Sequence, residues 1–397
     1  MIIGNEYDVI VVGAGPGGSG AALAAARGGA RVLLLEKRQE IGAPKRCGEG
    51  LSMSTMKRMG IEKDDLWIRR EIIGATAYSP DGKYVRVDYK NGPEGYVLER
   101  KVFDKCLAEK AAEAGAKVMA KAEVTKLLKE NGRVCGVEVE FGEEKREIKA
   151  KIVIAADGVE SKLAREAGLD TTLKLVDVAS GVQFEMANVD IDPDRIEMYF
   201  GNEIAPGGYV WIFPKGEKIA NIGIGVRKPR AKGRAIDYLK RFIESRPGLN
   251  KGSVIEINSG GVPVGGLMEN MVADGFMVVG DAAHHVNPIH GGGMGEAWVG
   301  GMMAGKVASE AIKAGDFSRK FLSRYNKEWW EKRGNKLKKL VKLREVIESL
   351  SDDDLNWLVD YLSGENLIEF ARSLNLKKLG EILMKRPKLA LLARKLL

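Results

Sequence analysis

Six residues near the start, Gly13-Ala14-Gly15-Pro16-Gly17-Gly18, constrain the fold of this chain more than any other feature. Tyr7-Asp8-Val9-Ile10-Val11-Val12 leads into them with the apolar run of a strand buried on both faces. The Ala-rich stretch from Ser19 to Arg27 leaves them as a helix, and Arg31-Val32-Leu33-Leu34-Leu35-Glu36 follows as a second strand ending in an acid. A glycine run alone is a weak signal. Strand, glycines, helix, strand and acid in this order make a dinucleotide-binding unit. The glycines permit a tight turn and close backbone approach to a pyrophosphate. The helix N-terminus faces that anion, and Glu36 is placed to take ribose hydroxyls.

A chain of 397 residues is long enough for two joined domains with sizeable cores. With 45% hydrophobic and 30% charged residues it reads as soluble and globular. No run approaches the roughly 18 apolar residues of a spanning helix, and Glu6 and Asp8 argue against a signal peptide. Cys47, Cys106 and Cys135 contain no CxxC pair, which fits a reducing cytoplasm without disulfides. The net charge of +8 suits nucleic acid, an anionic membrane surface or an acidic protein. The chain has no nucleic-acid-binding motif, so the last two are expected.

The nucleotide domain is expected to be interrupted. After the first unit comes a Gly-rich crossing segment, Arg46-Cys47-Gly48-Glu49-Gly50, and residues near 70–98 alternate like sheet strands. Arg100 to Gly115 reads as an amphipathic helix, and Lys151 to Ala156 as another buried strand ending at Asp157-Gly158. From about 180 to 270 the pattern is mainly β; Phe276 to Val279 returns as a buried strand ending at Gly280-Asp281. The expected fold is therefore α/β. Residues 1–70, 99–179 and 271–316 form a Rossmann-type domain, 71–98 and 180–270 an antiparallel-sheet substrate domain, and 317–397 a C-terminal helical region. Between Arg319 and Arg344 eleven Lys or Arg stand against Glu328 and Glu331, with Trp329-Trp330, Leu337, Leu340 and Val341 interspersed. That composition suits an amphipathic helix on an anionic membrane, or a solvated helix face. Lys377 to Leu397 repeats the basic bias.

Asp157-Gly158 and Gly280-Asp281 both follow apolar strands, where open α/β sheets place ligands. Gly291-Gly292-Gly293-Met294-Gly295 starts a helix whose free N–H groups form an anion site. His284, His285 and His290 share one segment, but no Cys or carboxylate completes a metal set with them, so no metal is expected. Tyr209, Trp211 and Phe213 alternate, and so share one face of a strand, either lining an apolar channel or forming sheet core. There is no second GxGxxG unit. A dedicated nicotinamide domain is therefore not expected, and electrons must arrive from NAD(P)H directly or from a small acidic carrier such as ferredoxin.

With the fingerprint, the two Asp-Gly and Gly-Asp signals resemble the flavoproteins typified by aromatic hydroxylases, which hold extended FAD. That resemblance implies ribityl or pyrophosphate contacts at Asp281 and a flavin contact at Arg100. Two further motifs, Arg46-Cys47-Gly48-Glu49-Gly50-Leu51-Ser52 and Tyr209-Val210-Trp211-Ile212-Phe213-Pro214 with Gly223-Ile224-Gly225 eight residues on, resemble the geranylgeranyl reductase family. The second matches its YxWxFPx8GxG isoprenoid-site pattern, which adds Pro214 to the substrate residues. The likeness to the archaeal branch acting on digeranylgeranylglycerophospholipids spans nearly the whole chain, with Met294 where that branch usually has Ile.

The resemblance implies FAD contacts at Gly17, Glu36, Cys47, Gly48, Gly50, Arg100, Val124 (through its main chain), Asp281, Gly293 and Met294. Gly13, Gly15, Gly18, Asp157 and Gly280 complete the expected cofactor site. It implies hydrogenation of isolated alkenes by hydride from reduced flavin N5 and a proton. Such an alkene cannot delocalise a carbanion, so the proton must accompany or precede the hydride. Cys47 is the candidate acid, or else a small packing residue. Gly223 and Gly225 would leave room for a lipid chain to pass. The expected setting is cytoplasmic and peripheral at the inner face of the membrane. Rival readings are an aromatic or polyene monooxygenase, a flavin halogenase, and a non-enzymatic prenyl-lipid carrier.

Overall fold

Unbroken apolar runs bury both faces of two parallel strands, Glu6–Val12 and Val32–Leu35. The computed structural model describes residues 4–362, 380–382, 384–386 and 389–390. In it these strands lie inside an eight-stranded sheet. Its main path runs Val272–Ala273, Phe276–Val278, Glu144–Ala155, Glu6–Val12, Val32–Leu35, Lys117–Met119. Glu144–Ala155 serves three partners, Phe276–Val278 among them in parallel. Its later residues run parallel to Glu6–Val12, while its first half pairs antiparallel with Arg133–Phe141, which carries Glu123–Glu130 in turn.

Helix Pro16–Arg27, with Pro at its first turn, packs against helix Met294–Ala314 at backbone contact. A Cβ at Gly301 would lie 2.0 Å from the Gly17 carbonyl oxygen, and one at Gly305 2.1 Å from that of Ala21. Only glycine allows that approach.

The second sheet has seven strands in the order Ser253–Pro263, Val178–Ala187, Ile219–Arg227, Tyr209–Pro214, Arg195–Tyr199, Gly74–Tyr78, Tyr84–Asp88. All neighbours are antiparallel except Arg195–Tyr199 with Gly74–Tyr78. One face buries Phe184, Ile212, Ile222 and Ile224 against Leu239 and Phe242 of helix Ala235–Glu244, a core separate from that of the nucleotide sheet. Strands Ile68–Ile72 and Gly95–Leu98 do not join this sheet. Gly95–Leu98 instead pairs on one side with Ile68–Ile72 and on the other with Gly50–Ser52, in a three-stranded sheet that continues the Cys47 segment.

At the C-terminal side, helices Arg319–Trp329 and Asn335–Glu348 are joined by one π turn, Trp330–Gly334. Trp329, Leu337 and Leu340 are buried in the nucleotide-domain core. The apolar stripe that composition offered to a membrane is thus turned inward, and lysines occupy the outer face. Among the described residues no helix is long and apolar enough to cross a membrane. Most of the basic stretch Lys377 to Leu397 lies outside the described residues.

Candidate active site

The fingerprint glycines divide into two kinds. Gly13, at φ +100°, and Gly18 are jammed against backbone: a Cβ would lie 2.3 Å from the Ala156 carbonyl oxygen at the first and 1.7 Å from that of Gly13 at the second. At Gly15 nothing among the described residues lies within 4 Å of such a Cβ, so this glycine opens onto free space. Beside it, Glu36 accepts the Ala14 N–H at 2.9 Å and the Arg38 N–H at 3.0 Å. The Ala122 N–H donates to the Glu36 carbonyl at 2.9 Å, which brings Val124, on strand Glu123–Glu130, to the same end.

Asp157 accepts the Leu163 N–H at 3.1 Å through Oδ2, while its Oδ1 is buried without a partner among the described residues. Burial pushes its carboxyl up, against backbone N–H groups that lower it. Open space at Gly15, a poised acid at Glu36 and an orphaned acceptor at Asp157 fit a hydroxyl-rich dinucleotide such as FAD.

The second Gly-Asp signal meets the first. A Cβ on Gly17 would sit 3.5 Å from Gly280 Cα, and one on Gly293, the N-cap residue before Met294, 3.0 Å from Asp281 Oδ1. Burial pushes the Asp281 carboxyl up to about 6, with Arg100 opposing. The three histidines diverge. His284 bonds the Gly266 carbonyl; His285 stacks on Trp329 with centroids 4.2 Å apart and, by burial, falls to about 3; His290 is exposed. No group of three or more His, Cys, Asp or Glu among the described residues is arranged to hold a metal ion.

Cys47 lies in a loop held at each successive residue. Its sulfur accepts the Glu49 N–H at 3.2 Å and its carbonyl accepts the Gln183 amide at 3.1 Å. The Gly48 carbonyl accepts Asn221 Nδ2 at 3.2 Å. Glu49, at φ +71° and fully buried, is the centre of an ionic cluster. Its carboxylate accepts Lys45 Nζ at 3.0 Å, Lys215 Nζ at 2.9 Å, Asn221 Nδ2 at 2.7 Å and the Arg100 N–H at 2.7 Å. Lys215 also reaches Glu99 and Glu185, and Lys45 reaches Glu185. Burial alone would raise Glu49; Lys215, Lys45 and the Arg100 N–H outweigh it and hold the carboxyl below its ordinary range. Arg100 pairs with Asp104 in a two-pronged bridge (2.9 and 2.7 Å), and its guanidinium lies near the Cys47 side chain.

The aromatic stripe lies against this loop. On strand Tyr209–Pro214, Val210, Ile212 and Pro214 are buried while Tyr209, Trp211 and Phe213 are half-buried on the opposite face, so the stripe is not sheet core. A Cβ at Gly48 would meet Phe213 at 3.1 Å and Trp211 Nε1 at 3.3 Å; one at Gly50 would meet Phe213 at 2.9 Å. Tyr209 donates its hydroxyl to the His290 carbonyl at 2.8 Å, tying the stripe to the glycine turn before Met294. Burial, with Cys47 nearby, raises that phenol to about 12.

One expectation is corrected here. Gly223 does not leave room for a passing lipid chain, because Trp211 fills it: a Cβ there would lie 2.2 Å from the indole. Only Gly225, whose nearest atom would be 4.0 Å away, retains space. Sequence reasoning missed Lys45, Lys215, Glu185, Asn221 and Gln183. Asn221 falls among the eight unspecified residues of the motif and Gln183 on the strand beside it, and no spacing rule marks them.

A model of the geranylgeranyl reductase catalytic domain matches residues 177–262, and one of an FAD-binding domain matches 8–99 and 103–199. The digeranylgeranylglycerophospholipid reductase of Methanocella arvoryzae is 44% identical over 388 residues, 97% of each chain. That of Methanothrix thermoacetophila is 47% identical over 91% of this chain and 92% of its own. A solved geranylgeranyl bacteriochlorophyll reductase-like protein from Thermoplasma acidophilum, 42% identical, matches with a TM-score of 0.92 over 99% of this chain and 100% of that one. Identity of this extent, over a glycine cradle and a cysteine loop packed on the aromatic stripe, shows that the chain belongs to the geranylgeranyl reductase family of FAD-dependent oxidoreductases.

Proposed function

We propose that this enzyme saturates the isolated double bonds of geranylgeranyl chains in digeranylgeranylglycerophospholipids, with Cys47 as the proton donor. The observation that carries the reading is the seating of the Cys47 loop against Trp211 and Phe213, which sets an ionisable thiol beside an aromatic surface suited to an isoprenoid. Gly13, Gly15, Gly17, Gly18, Glu36, Val124, Asp157, Gly280, Asp281, Gly293 and Met294 would hold FAD, with Gly48, Gly50 and Arg100 at its reactive end. Reduced FAD, when bound, supplies the hydride equivalent. The Cys47 thiol gives its proton to one alkene carbon, and the Arg100 guanidinium, fixed by Asp104, stabilises the thiolate left behind. Tyr209, Trp211 and Phe213 exclude water and orient the chain; Pro214 and Gly225 shape the strand around them.

The electron donor is a small acidic carrier such as ferredoxin or NAD(P)H itself. The lysine-covered outer face of the C-terminal helices suits such a carrier, and equally the anionic inner face of a cell membrane, to which the enzyme binds peripherally from the cytoplasm. The test is anaerobic. The yellow protein is reduced with dithionite, given digeranylgeranylglyceryl phosphate, and followed by product mass and flavin absorbance. Mass gains in steps of two hydrogens with flavin reoxidised support the reductase. Bound lipid of unchanged mass with flavin still reduced would turn the reading to the monooxygenase.

A further inference from the structure

We propose that Gln183 is a positioning residue for this reaction, coupling the Trp211 indole to the peptide of Cys47 so that substrate surface and proton donor stay in register. The inference rests on the reductase reading above. Gln183 is 2% exposed and lies on strand Val178–Ala187, beside Gly223, which in turn faces Trp211 on the next strand. Cross-strand partners share a face, so Gln183, Gly223 and Trp211 form one row. Because Gly223 carries no side chain, the indole lies across it and its N–H donates to Gln183 Oε1 at 2.8 Å. Gln183 Nε2 then donates to the Cys47 carbonyl at 3.1 Å.

The chemistry of this link is selective. An indole N–H only donates and a peptide carbonyl only accepts, so the bridging side chain must offer one acceptor and one donor. A primary amide does so at every pH. An ionised carboxylate serves the indole and leaves the carbonyl facing a charge; an alkyl chain serves neither. Gln183 meets no reacting atom in this scheme and acts through its two neighbours. Loss of about 1 Å in the placement of reacting groups lowers rates on the order of 100-fold, and the Cys47 sulfur sits on a loop while the Trp211 ring sits on a strand of the seven-stranded sheet, so this amide ties the loop to the sheet.

The test compares parent, Gln183→Leu, Gln183→Glu, Trp211→Phe and the Gln183→Leu/Trp211→Phe double variant, each with FAD bound, in the anaerobic turnover above. Flavin absorbance and thermal melting report folding. Gln183→Leu is expected to slow alkene reduction at least tenfold while flavin reoxidation by oxygen stays within twofold of the parent. The double variant is expected to be no slower than the slower single variant. For Gln183→Glu, the rate relative to parent is expected to rise several-fold from pH 8 to pH 5, as the protonated carboxyl again donates to the Cys47 carbonyl.

Gln183→Leu turnover within twofold of the parent overturns the proposal, as do additive losses in the double variant or a pH-independent Gln183→Glu ratio. If Gln183→Leu does not retain FAD, the Gln183→Glu ratio decides alone. A parent that reduces no alkene overturns the reductase reading and this inference together; an active parent matched by its variants overturns this inference only.

Discussion

Substituting Gly223 by Ala should disable this site, while the same change two residues on should leave it almost intact. A Cβ at Gly223 would lie 2.2 Å from Trp211 Cζ2, 2.4 Å from Cε2 and 2.9 Å from Nε1. Carbon atoms in ordinary contact stand about 3.5–4.0 Å apart, so the indole must retreat by roughly 1.3–1.8 Å. A retreat of that size carries the 2.8 Å bond to Gln183 beyond hydrogen-bonding range. Forced repacking costs about 1–3 kcal/mol and an unmade buried hydrogen bond about 1–3 kcal/mol. Partial relaxation leaves ~2–4 kcal/mol for Gly223→Ala. At Gly225 the nearest atom is Trp211 Cζ3 at 4.0 Å, an ordinary contact, so Gly225→Ala should stay within about 0.5 kcal/mol. Urea unfolding followed by near-ultraviolet circular dichroism measures the stabilities, and anaerobic alkene reduction the activity. Equal effects at the two glycines, or a larger one at Gly225, would refute the placement of the indole.

Further outcomes follow from the loop and the cofactor cradle. Cys47→Ser should abolish alkene reduction with the flavin spectrum unchanged; unimpaired turnover sinks the acid role. Glu49→Gln leaves Lys45 and Lys215 short of a buried counter-charge and should destabilise the fold by about 3–5 kcal/mol at neutral pH. Because the folded state depresses the Glu49 pKa, the parent's advantage is full above the ordinary glutamate range and lost as pH falls through the depressed value. Urea midpoints that differ equally at pH 3 and pH 7 would contradict this. For Asp281, raised to about 6, the sign is opposite: the FAD-free fold is favoured in acid and loses stability as pH rises through 6. Asp281→Asn should therefore match the parent near pH 4 and exceed it by roughly 2–3 kcal/mol above pH 7 when both are stripped of FAD.

The nucleotide half of the molecule was legible because its signals are local. Gly13, Gly15 and Gly18 stand within six residues, and the strands beside them are continuous apolar runs whose burial needs no distant partner to predict. The alternation of Tyr209, Trp211 and Phe213 likewise gave their shared face, though not which of two faces looks onto the core. What stayed hidden depends on residues far apart in the chain. Lys45 and Lys215 carried no signal, since nothing local announces that Glu49, Glu99 and Glu185 will meet them in the interior. The space at Gly223 read as room for substrate because a glycine reports a missing side chain and not the neighbour that fills it. The basic C-terminal helices suited either a membrane surface or a solvated face by composition, and only the fold shows that Trp329, Leu337 and Leu340 bury their apolar side in the chain's own core.

The backbone contact between helices Pro16–Arg27 and Met294–Ala314 has a bearing on cofactor size. Gly301 against the Gly17 carbonyl and Gly305 against that of Ala21 leave the two helices no lubricating layer of side chains along which to slide. The two helix starts, one at the first glycine turn and one at the second, are thus a fixed distance apart, like the jaws of a locked caliper. A molecule that spanned both helix starts would therefore be gauged for length by the protein before any chemistry began, and one that filled a single jaw would forgo half of the grip.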